Sequence, residues 1–263
     1  MERFGIIILT LIIVCLLVTS ANAAPLGLPT NVKEMEGQIF TNAEDDVEFS
    51  MAVEADFLDK RELENANSEI QAAFYAAKFI CSFEDKVDLY MFLGQSQGME
   101  CKATISSSEV VYKLDDNLFW GIGINTFIHD WLRYGIKFFA DAKYRRVKDI
   151  GYASVTVDGF QYDENQIKDP RTAFDWNEWQ IAFGVAKDLD YIMPYAGVRY
   201  SDVSAECGAT AGGTTYDLGS TGSDNIIGFF IGCSFVPTEQ FSVDLEARFV
   251  DEQAVTVAGV VTF

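Results

Sequence analysis

The stretch YGIKFFADAKYR, residues 134–145, alternates between two kinds of side chain. Every second residue is apolar or aromatic, and most of the residues between them are lysine, arginine or aspartate. A period of two places these sets on opposite faces of a β-strand, whereas an α-helix repeats about every 3.6 residues. The stretch therefore predicts a strand with one apolar face and one charged face.

The same alternation recurs along most of the chain. It is clear in VEFSMAVEADF (47–57) and FSVDLEARFV (241–250), and less regular in seven other segments. Together these segments predict about ten strands. The predicted strands are 46–57, 69–83, 87–97, 117–129, 134–145, 174–187, 192–202, 225–235, 241–250 and 254–263.

The connections between the predicted strands alternate in length. Short ones lie at 84–86, 130–132, 188–191 and 236–240, longer ones at 58–68, 98–116, 147–173 and 203–224, and a brief DEQ precedes the last strand. Transmembrane β-barrels place short turns on the periplasmic side and longer loops outside, and their tilted strands span with about 9–11 residues. The prediction is an all-β fold, an antiparallel up-and-down transmembrane β-barrel of about ten strands (8–12). The competing fold is a secreted β-sandwich, which also alternates.

Composition and the N-terminus narrow the function classes. The chain has 19 Lys and Arg against 40 Asp and Glu, which gives a net charge of -21. This charge excludes a nucleic-acid partner, because a protein that binds nucleic acid needs a basic surface.

The N-terminus predicts a cleaved signal peptide through Arg3, the apolar run 6–18 and the small residues SANAA. The apolar run is shorter than the roughly 20 residues that a membrane anchor needs. The predicted organisation is a signal peptide (1–23), a periplasmic segment (24–45) and a barrel (46–263).

The charged strand faces would point into the barrel interior. Side chains fill barrels of about eight strands, whereas aqueous channels need about 16–18, so a ten-strand lumen is narrow. Buried charges need partners, and we therefore expect a lumen largely filled by ion pairs, with a narrow or gated pore as the alternative. The predicted lumen charge network comprises Glu54, Lys78, Lys137, Asp141, Lys143, Arg145, Glu178, Arg199, Asp244, Glu246 and Arg248.

The cysteines offer a candidate disulfide but no metal site. Outside the leader, four cysteines remain, and four allow three pairings. Cys101 and Cys207 both fall in predicted outward loops and form the candidate disulfide, whereas Cys81 and Cys233 lie on apolar strand faces and are the less favoured pair. The chain has no CxxC and no Cys/His cluster, so we predict neither a metal nor a cofactor.

The leader, the amphipathic strands with sorted loops and the final aromatic residue resemble bacterial outer-membrane β-barrel proteins. The resemblance covers the mature chain as architecture and identifies no subfamily. It implies a location in the bacterial outer membrane, contact with outer-membrane lipid, and recognition by the barrel-assembly machinery. The implied assembly signal is the last strand, through Val255, Val257, Val261 and Phe263.

The predicted function is that of a structural or surface-interaction barrel whose long loops are the working surface. Loop 203–224 is rich in Gly, Ser and Thr and predicts a mobile segment, whereas residues 152–157 alternate and predict an extended hairpin. An outer-membrane hydrolase is the less favoured alternative. By resemblance such enzymes use a histidine at the outer rim, and the single histidine, His129, falls at a predicted periplasmic turn. We therefore predict no enzymatic activity.

Overall fold

The computed structural model describes residues 47–65, 67–83, 87–167, 174–238 and 240–263. The predicted signal peptide and periplasmic segment lie outside these residues. The described residues contain no helix that is long and apolar enough to cross a membrane. The strands are β1 Val47–Leu63, β2 Ser68–Phe83, β3 Val87–Ile105, β4 Ser108–Leu114, β5 Asn117–Trp131, β6 Ile136–Ile150, β7 Tyr152–Val157, β8 Phe160–Asp163, β9 Phe174–Lys187, β10 Ile192–Ala211, β11 Thr214–Thr221, β12 Ile227–Thr238, β13 Phe241–Phe249 and β14 Gln253–Thr262, with 3-10 turns at Leu132–Tyr134 and Glu164–Gln166.

Ten of these strands close into an antiparallel barrel, which confirms the predicted fold. The order around the wall is β1, β2, β3, β5, β6, β9, β10, β12, β13 and β14, and β14 then pairs with β1. The final strand is therefore paired on both sides, as predicted: Val257 lies opposite Ala55 of β1 and opposite Leu245 of β13. Closure leaves this wall without a free edge.

The outward face of the wall carries an apolar belt bounded by aromatic residues. Along β5, outward Trp120 and Trp131 stand eleven residues apart at opposite ends, with exposed Ile122, Ile124 and Ile128 between them. This spacing fits the roughly 9–11 residues that cross a bilayer. Four aromatic pairs mark the outer border of the belt, the outer girdle: Phe57–Tyr75, Trp120–Tyr144, Trp179–Tyr200 and Phe229–Phe249, with ring centroids 5.0–6.3 Å apart.

Aromatic rings fill part of the lumen by lying across glycines of the neighbouring strand. Tyr90 lies directly opposite Gly123, and a Cβ at this glycine would overlap the ring. The glycine therefore allows the ring to lie flat against the wall, because any larger residue at this position would push the ring towards the barrel axis. The same cross-strand arrangement joins Phe92 to Gly121, Phe119 to Gly94, Phe139 to Gly184, Tyr195 to Gly232 and Phe230 to Gly197.

Beyond the outer girdle the sheet continues as a second region, which we call the outer extension (98–114, 150–163 and 203–221). The outer ends of β3 and β10 are joined there by β4, β7, β8 and β11. Strand β7 occupies residues 152–157, where the sequence predicts an extended hairpin. The prediction of a mobile loop at 203–224 is wrong, because most of this segment forms the β10–β11 hairpin.

The outer extension is built from two layers with an apolar core between them. One layer contains β3, β4, β7 and β8, and the other contains β10 and β11. A hydrogen bond from Tyr112 Oη to the Tyr216 carbonyl (3.1 Å) joins the layers. Alanines of β10 fill part of the interface and let the layers approach closely. Its buried residues include Met99, Cys101, Ala103, Val110, Tyr112, Val155, Val157, Val203, Ala205, Cys207, Ala209 and Ala211.

Candidate functional site

A cluster of four arginines and four carboxylates occupies the lumen at the level of the outer girdle. We call it the outer charge cluster. Its charges cancel, and all eight side chains are at most 4% exposed. The members are Asp56, Arg61, Arg145, Glu178, Arg199, Arg248, Asp251 and Glu252.

Six members of the outer charge cluster form a closed ring of alternating charge. Starting from Asp56, the ring passes through Arg145 (2.8 Å), Glu178 (2.5 Å) and Arg61 (3.0 Å). It returns through Glu252 (2.9 Å from Arg61) and Arg248, whose Nε and Nη2 lie 3.2 Å from Glu252 and 3.4 Å from Asp56. Arg199 joins the ring by pairing with Glu252 and with Asp251 (2.5 Å). Each buried charge therefore has an opposite partner, which such an interior demands.

The outer charge cluster connects opposite walls of the barrel. Arg61 lies on β1 and Glu178 on β9, and these strands are five positions apart in either direction around the ten-strand wall. The guanidinium of Arg61 also donates to Ser201 Oγ (2.8 Å) and Ser223 Oγ (2.9 Å). The contact across the barrel therefore places fully buried side chains on the axis itself.

The turn between β13 and β14 inserts acidic groups into this cluster. Burial by itself would raise the pKa of Glu252, but the positive charges of Arg199, Arg248 and Arg61 lower it from 4.5 to about 2. Burial raises the pKa of Asp251, and Arg199 opposes that shift. Glu252 is consequently an anion throughout the neutral range and holds the arginines of three strands together.

Below the cluster, a second group of polar side chains surrounds Asp141 on β6. Tyr90 Oη donates to Asp141 Oδ2 (2.7 Å), and the Gln180 amide approaches Asp141 Oδ1 (3.5 Å). The Lys78 ammonium lies over the Tyr90 ring, 3.9 Å from its centroid, in a cation–π contact. This group joins β2, β3, β6 and β9. The lumen is therefore filled in successive layers.

The residues of the predicted lumen charge network lie inside the barrel, at several levels along its axis. Ten of the eleven residues are buried, and Glu54 is half-buried. Arg145, Glu178, Arg199 and Arg248 belong to the outer charge cluster, where Glu246 approaches Arg248 (3.9 Å). Lys137 pairs with Asp130 (3.8 Å) near the short-turn end of the barrel. The remaining buried members, at intermediate levels, are Lys78, Asp141, Lys143 and Asp244.

Sequence reasoning missed Arg61, Asp251 and Glu252. A β-bulge between Leu58 and Arg61 shifts the register of β1, so that the inward positions change from even to odd numbers. Strict alternation cannot detect such an inserted residue. The two acidic residues lie in the brief DEQ connection, where strand alternation makes no prediction. A signal was present: DE follows a strand whose inward residues are already charged.

The structure brings the two candidate disulfide residues together. Cys101 and Cys207 are both buried, their thiols are hydrogen-bonding partners, and both are free thiols in the structure. Cys81 and Cys233 lie half-buried on the outward side of the wall. The predicted assembly residues also lie on that side: Val257, Val261 and Phe263 are exposed, and Val255 is half-buried.

The single histidine lies far from the outer extension. His129 is exposed near the short-turn end of β5, with its ring 6.2 Å from that of Phe138. In the part of the chain that the structure describes, His, Cys, Asp and Glu do not gather in groups of three that could hold a metal ion.

No protein-family model matches the chain, and no curated protein matches it. Among solved structures, the fold is similar to the outer membrane protease OmpT from Escherichia coli (9% identity, 82% of this chain and 96% of that chain, TM-score 0.42). It is also similar to the translocator domain of autotransporter NalP from Neisseria meningitidis (9% identity, 84% of this chain and 88% of that chain, TM-score 0.41). A third similar structure is an outer membrane channel from Pseudomonas putida F1 (10% identity, 88% of this chain and 100% of that chain, TM-score 0.39).

These similarities are too low to carry an argument about function. The architecture stands on the chain's own geometry: a closed ten-strand wall, an apolar outward belt with aromatic borders, and a polar lumen. This is the construction of an outer-membrane β-barrel protein.

Proposed function

We propose that this protein is a non-conducting outer-membrane barrel that holds the outer extension above the membrane as a surface for interaction. One observation carries the first half of this proposal: Arg61 of β1 and Glu178 of β9 meet across the lumen while fully buried. An ion crossing at this level would have to separate opposite charges that are buried, and separating such a pair is costly.

The second half of the proposal follows from the size and composition of the outer extension. Strand β10 runs for 20 residues, about twice what a bilayer needs. The excess forms two layers with a buried core, so the extension presents a fixed surface rather than flexible loops. We propose no ligand for it.

Planar-bilayer recording tests the closed lumen directly. We expect no steady single-channel steps from the purified barrel, and steps from a variant in which Arg61→Ala and Glu178→Ala remove the contact across the lumen. Lys60→Ala is the matched control, because Lys60 lies next to Arg61 but its side chain is 38% exposed. Steady steps from the unmodified protein would contradict the proposal and favour the alternative, a narrow channel.

Labelling of intact cells tests which end carries the interaction surface. An epitope inserted after Gly213, in the tip of the β10–β11 hairpin, should bind antibody on whole cells. The control insertion follows Asp190, in the short turn between β9 and β10, and should bind only after the outer membrane is opened. The reverse pattern would overturn the assigned orientation.

We also propose that the chain is exported with a cleaved signal peptide and assembled through its last strand. Support comes from Phe263, which is 78% exposed and whose backbone N–H donates to the Phe49 carbonyl (3.0 Å). Because its ring lies outside the lumen, deleting Phe263 should lower the amount of protein in the outer membrane more than it lowers the stability of assembled barrels. Unchanged amounts would contradict this role.

We propose no catalytic activity for the barrel. The single histidine, His129, lies at the short-turn end, away from the outer rim where the resemblance would place a catalytic histidine. His129→Asn should therefore leave the protein's assembly and any binding at the outer surface unchanged. An activity in purified protein that this substitution abolishes would contradict the proposal.

A further inference from the structure

Cys101 and Cys207 lie against each other in the core of the outer extension. Their exposures are 0% and 1%, and the two thiols are hydrogen-bonding partners. Two tyrosines surround them. Tyr112 lies opposite Cys101 in the β3–β4 ladder, and Tyr152 Oη accepts a hydrogen bond from the Gly208 backbone N–H, next to Cys207 (3.1 Å). The pair is therefore enclosed on all sides by the two layers.

The two cysteines belong to layers that the backbone does not join at this point. Strand β3 pairs with β2, β4 and β5, whereas β10 pairs with β9, β11 and β12. Contacts between the layers are made by side chains, such as the hydrogen bond from Tyr112. A covalent bond at this position would connect two layers that are otherwise joined by side-chain packing and hydrogen bonds such as those of Tyr112 and Tyr152.

We propose that Cys101 and Cys207 form a disulfide that fastens the two layers of the outer extension. The oxidant is a protein or small-molecule disulfide, as exported proteins meet in oxidising compartments. The Cys101 thiolate attacks that disulfide, which forms a mixed disulfide and releases one thiolate of the oxidant. The Cys207 thiolate then attacks the Cys101 sulfur and displaces the second thiolate of the oxidant. One S–S bond forms in this chain and one breaks in the oxidant, whose two sulfurs leave as thiols after taking up two electrons and two protons.

Burial determines when this exchange takes place. Burial and the neighbouring Cys101 raise the pKa of the Cys207 thiol well above its ordinary value, and the thiolate is the reactive form. An external disulfide also cannot reach side chains that are fully enclosed. The bond therefore forms before the layers pack, and the folded extension then protects it from reduction.

Thiol counting on a Cys81→Ser/Cys233→Ser variant tests the bond, because only the pair then remains outside the leader. The protein is unfolded directly in excess maleimide-polyethylene glycol, so that buried thiols also react. We expect no mobility shift without reductant and two additions after reduction, with one tryptic species that joins both cysteines. Two additions without reductant would overturn the proposal, as would a dimer band that disappears on reduction.

Limited proteolysis tests the fastening role separately. In the same background, adding Cys207→Ser should make cleavage within 203–224 about tenfold faster, because loss of the bond favours local opening of the extension. The comparison is with the unreduced parent, and a parent sample that is unfolded in reductant and then refolded with its thiols reduced should reproduce the faster rate. Equal rates in all three samples would overturn the fastening role.

Discussion

The lumen at membrane level and the core of the outer extension are filled in opposite ways, although strands β3 and β10 line both. In β10, inward Arg199 and Ser201 are followed by inward Val203, Ala205 and Cys207, all buried. The outward face changes in the reverse sense, from exposed Val198 and Tyr200 to Ser204 and Glu206. Inward and outward residues therefore keep alternating along β10. Within four residues of Tyr200, however, the inward face changes from polar to apolar and the outward face from apolar to polar.

The reason for the inversion is the solvent on the outside of the wall. Where lipid surrounds the barrel, outward residues must be apolar, and the chain's charges have only the lumen to occupy. Where water surrounds the sheet, the hydrophobic effect favours the arrangement of a soluble protein, with apolar side chains packed inside and polar ones outside. The point of inversion therefore marks the outer surface of the membrane, and it coincides with the outer girdle.

The largest effect is expected from breaking the outer charge cluster. Arg61→Ala leaves Glu178 buried with one fewer partner, and removing one member of a buried pair costs about 3–5 kcal/mol. We expect this loss in the free energy of unfolding, measured by tryptophan fluorescence in urea with detergent-solubilised protein. Lys60→Ala removes an exposed pair and should cost at most about 1 kcal/mol. Equal losses would show that the cluster contributes nothing beyond a surface pair.

Placing a charge in the apolar core should cost somewhat less, because the extension can open locally. Ala205→Asp puts an unpaired carboxylate between the layers, and we expect a loss of about 3 kcal/mol. The measurable consequence is rapid proteolysis of the outer extension while the barrel remains folded. Ser204→Asp, one residue away on the outward face, should behave like the parent. Similar proteolysis of both variants would argue against the two-layer core.

An intermediate effect is expected where an aromatic ring lies on glycine. In Gly121→Ala the added methyl group would overlap the ring of Phe92, and overpacking of this kind costs about 1–3 kcal/mol. Gly259→Ala is the matched control, because its methyl group would meet no neighbour within 4 Å. Urea unfolding should separate the two variants. A stable Gly121 variant would mean that the ring can leave the wall without penalty.

The smallest effect is expected from titrating the turn between β13 and β14. The folded-state pKa of Glu252, about 2, lies below its ordinary value of 4.5. Its contribution to stability is therefore complete above pH 4.5 and is lost as the pH falls towards 2. Glu252→Gln should lose less stability across this window than the parent does, as measured by urea midpoints at each pH. Glu62→Gln, at a half-exposed site, is the control and should retain the parent's slope.

The sequence predicts regular strands well and irregular positions poorly. Because β10 keeps one parity from Met193 to Ala211, the inward position of Cys207 follows from simple alternation. Cys101 cannot be placed in the same way. In β3 the buried positions change from Ser96 to Met99, across Gly98 with its positive φ of 57°, and a single extra residue reverses every later side chain. Arg61 cannot be predicted to point inward for the same reason, because a β-bulge between Leu58 and Arg61 also shifts the register of β1.

The outer charge cluster can be completed only when the first and last strands of the barrel meet. Arg61 and Asp56 come from the first strand, and Glu252 precedes the last, so the ring of charges is incomplete until these strands meet. Before that moment the open sheet leaves its charges in contact with water. We expect these interactions to form only when the barrel closes, so Arg61→Ala should open faster than the parent while inserting at the parent's rate. For this barrel, the contact across the lumen is a source of kinetic lifetime in the membrane.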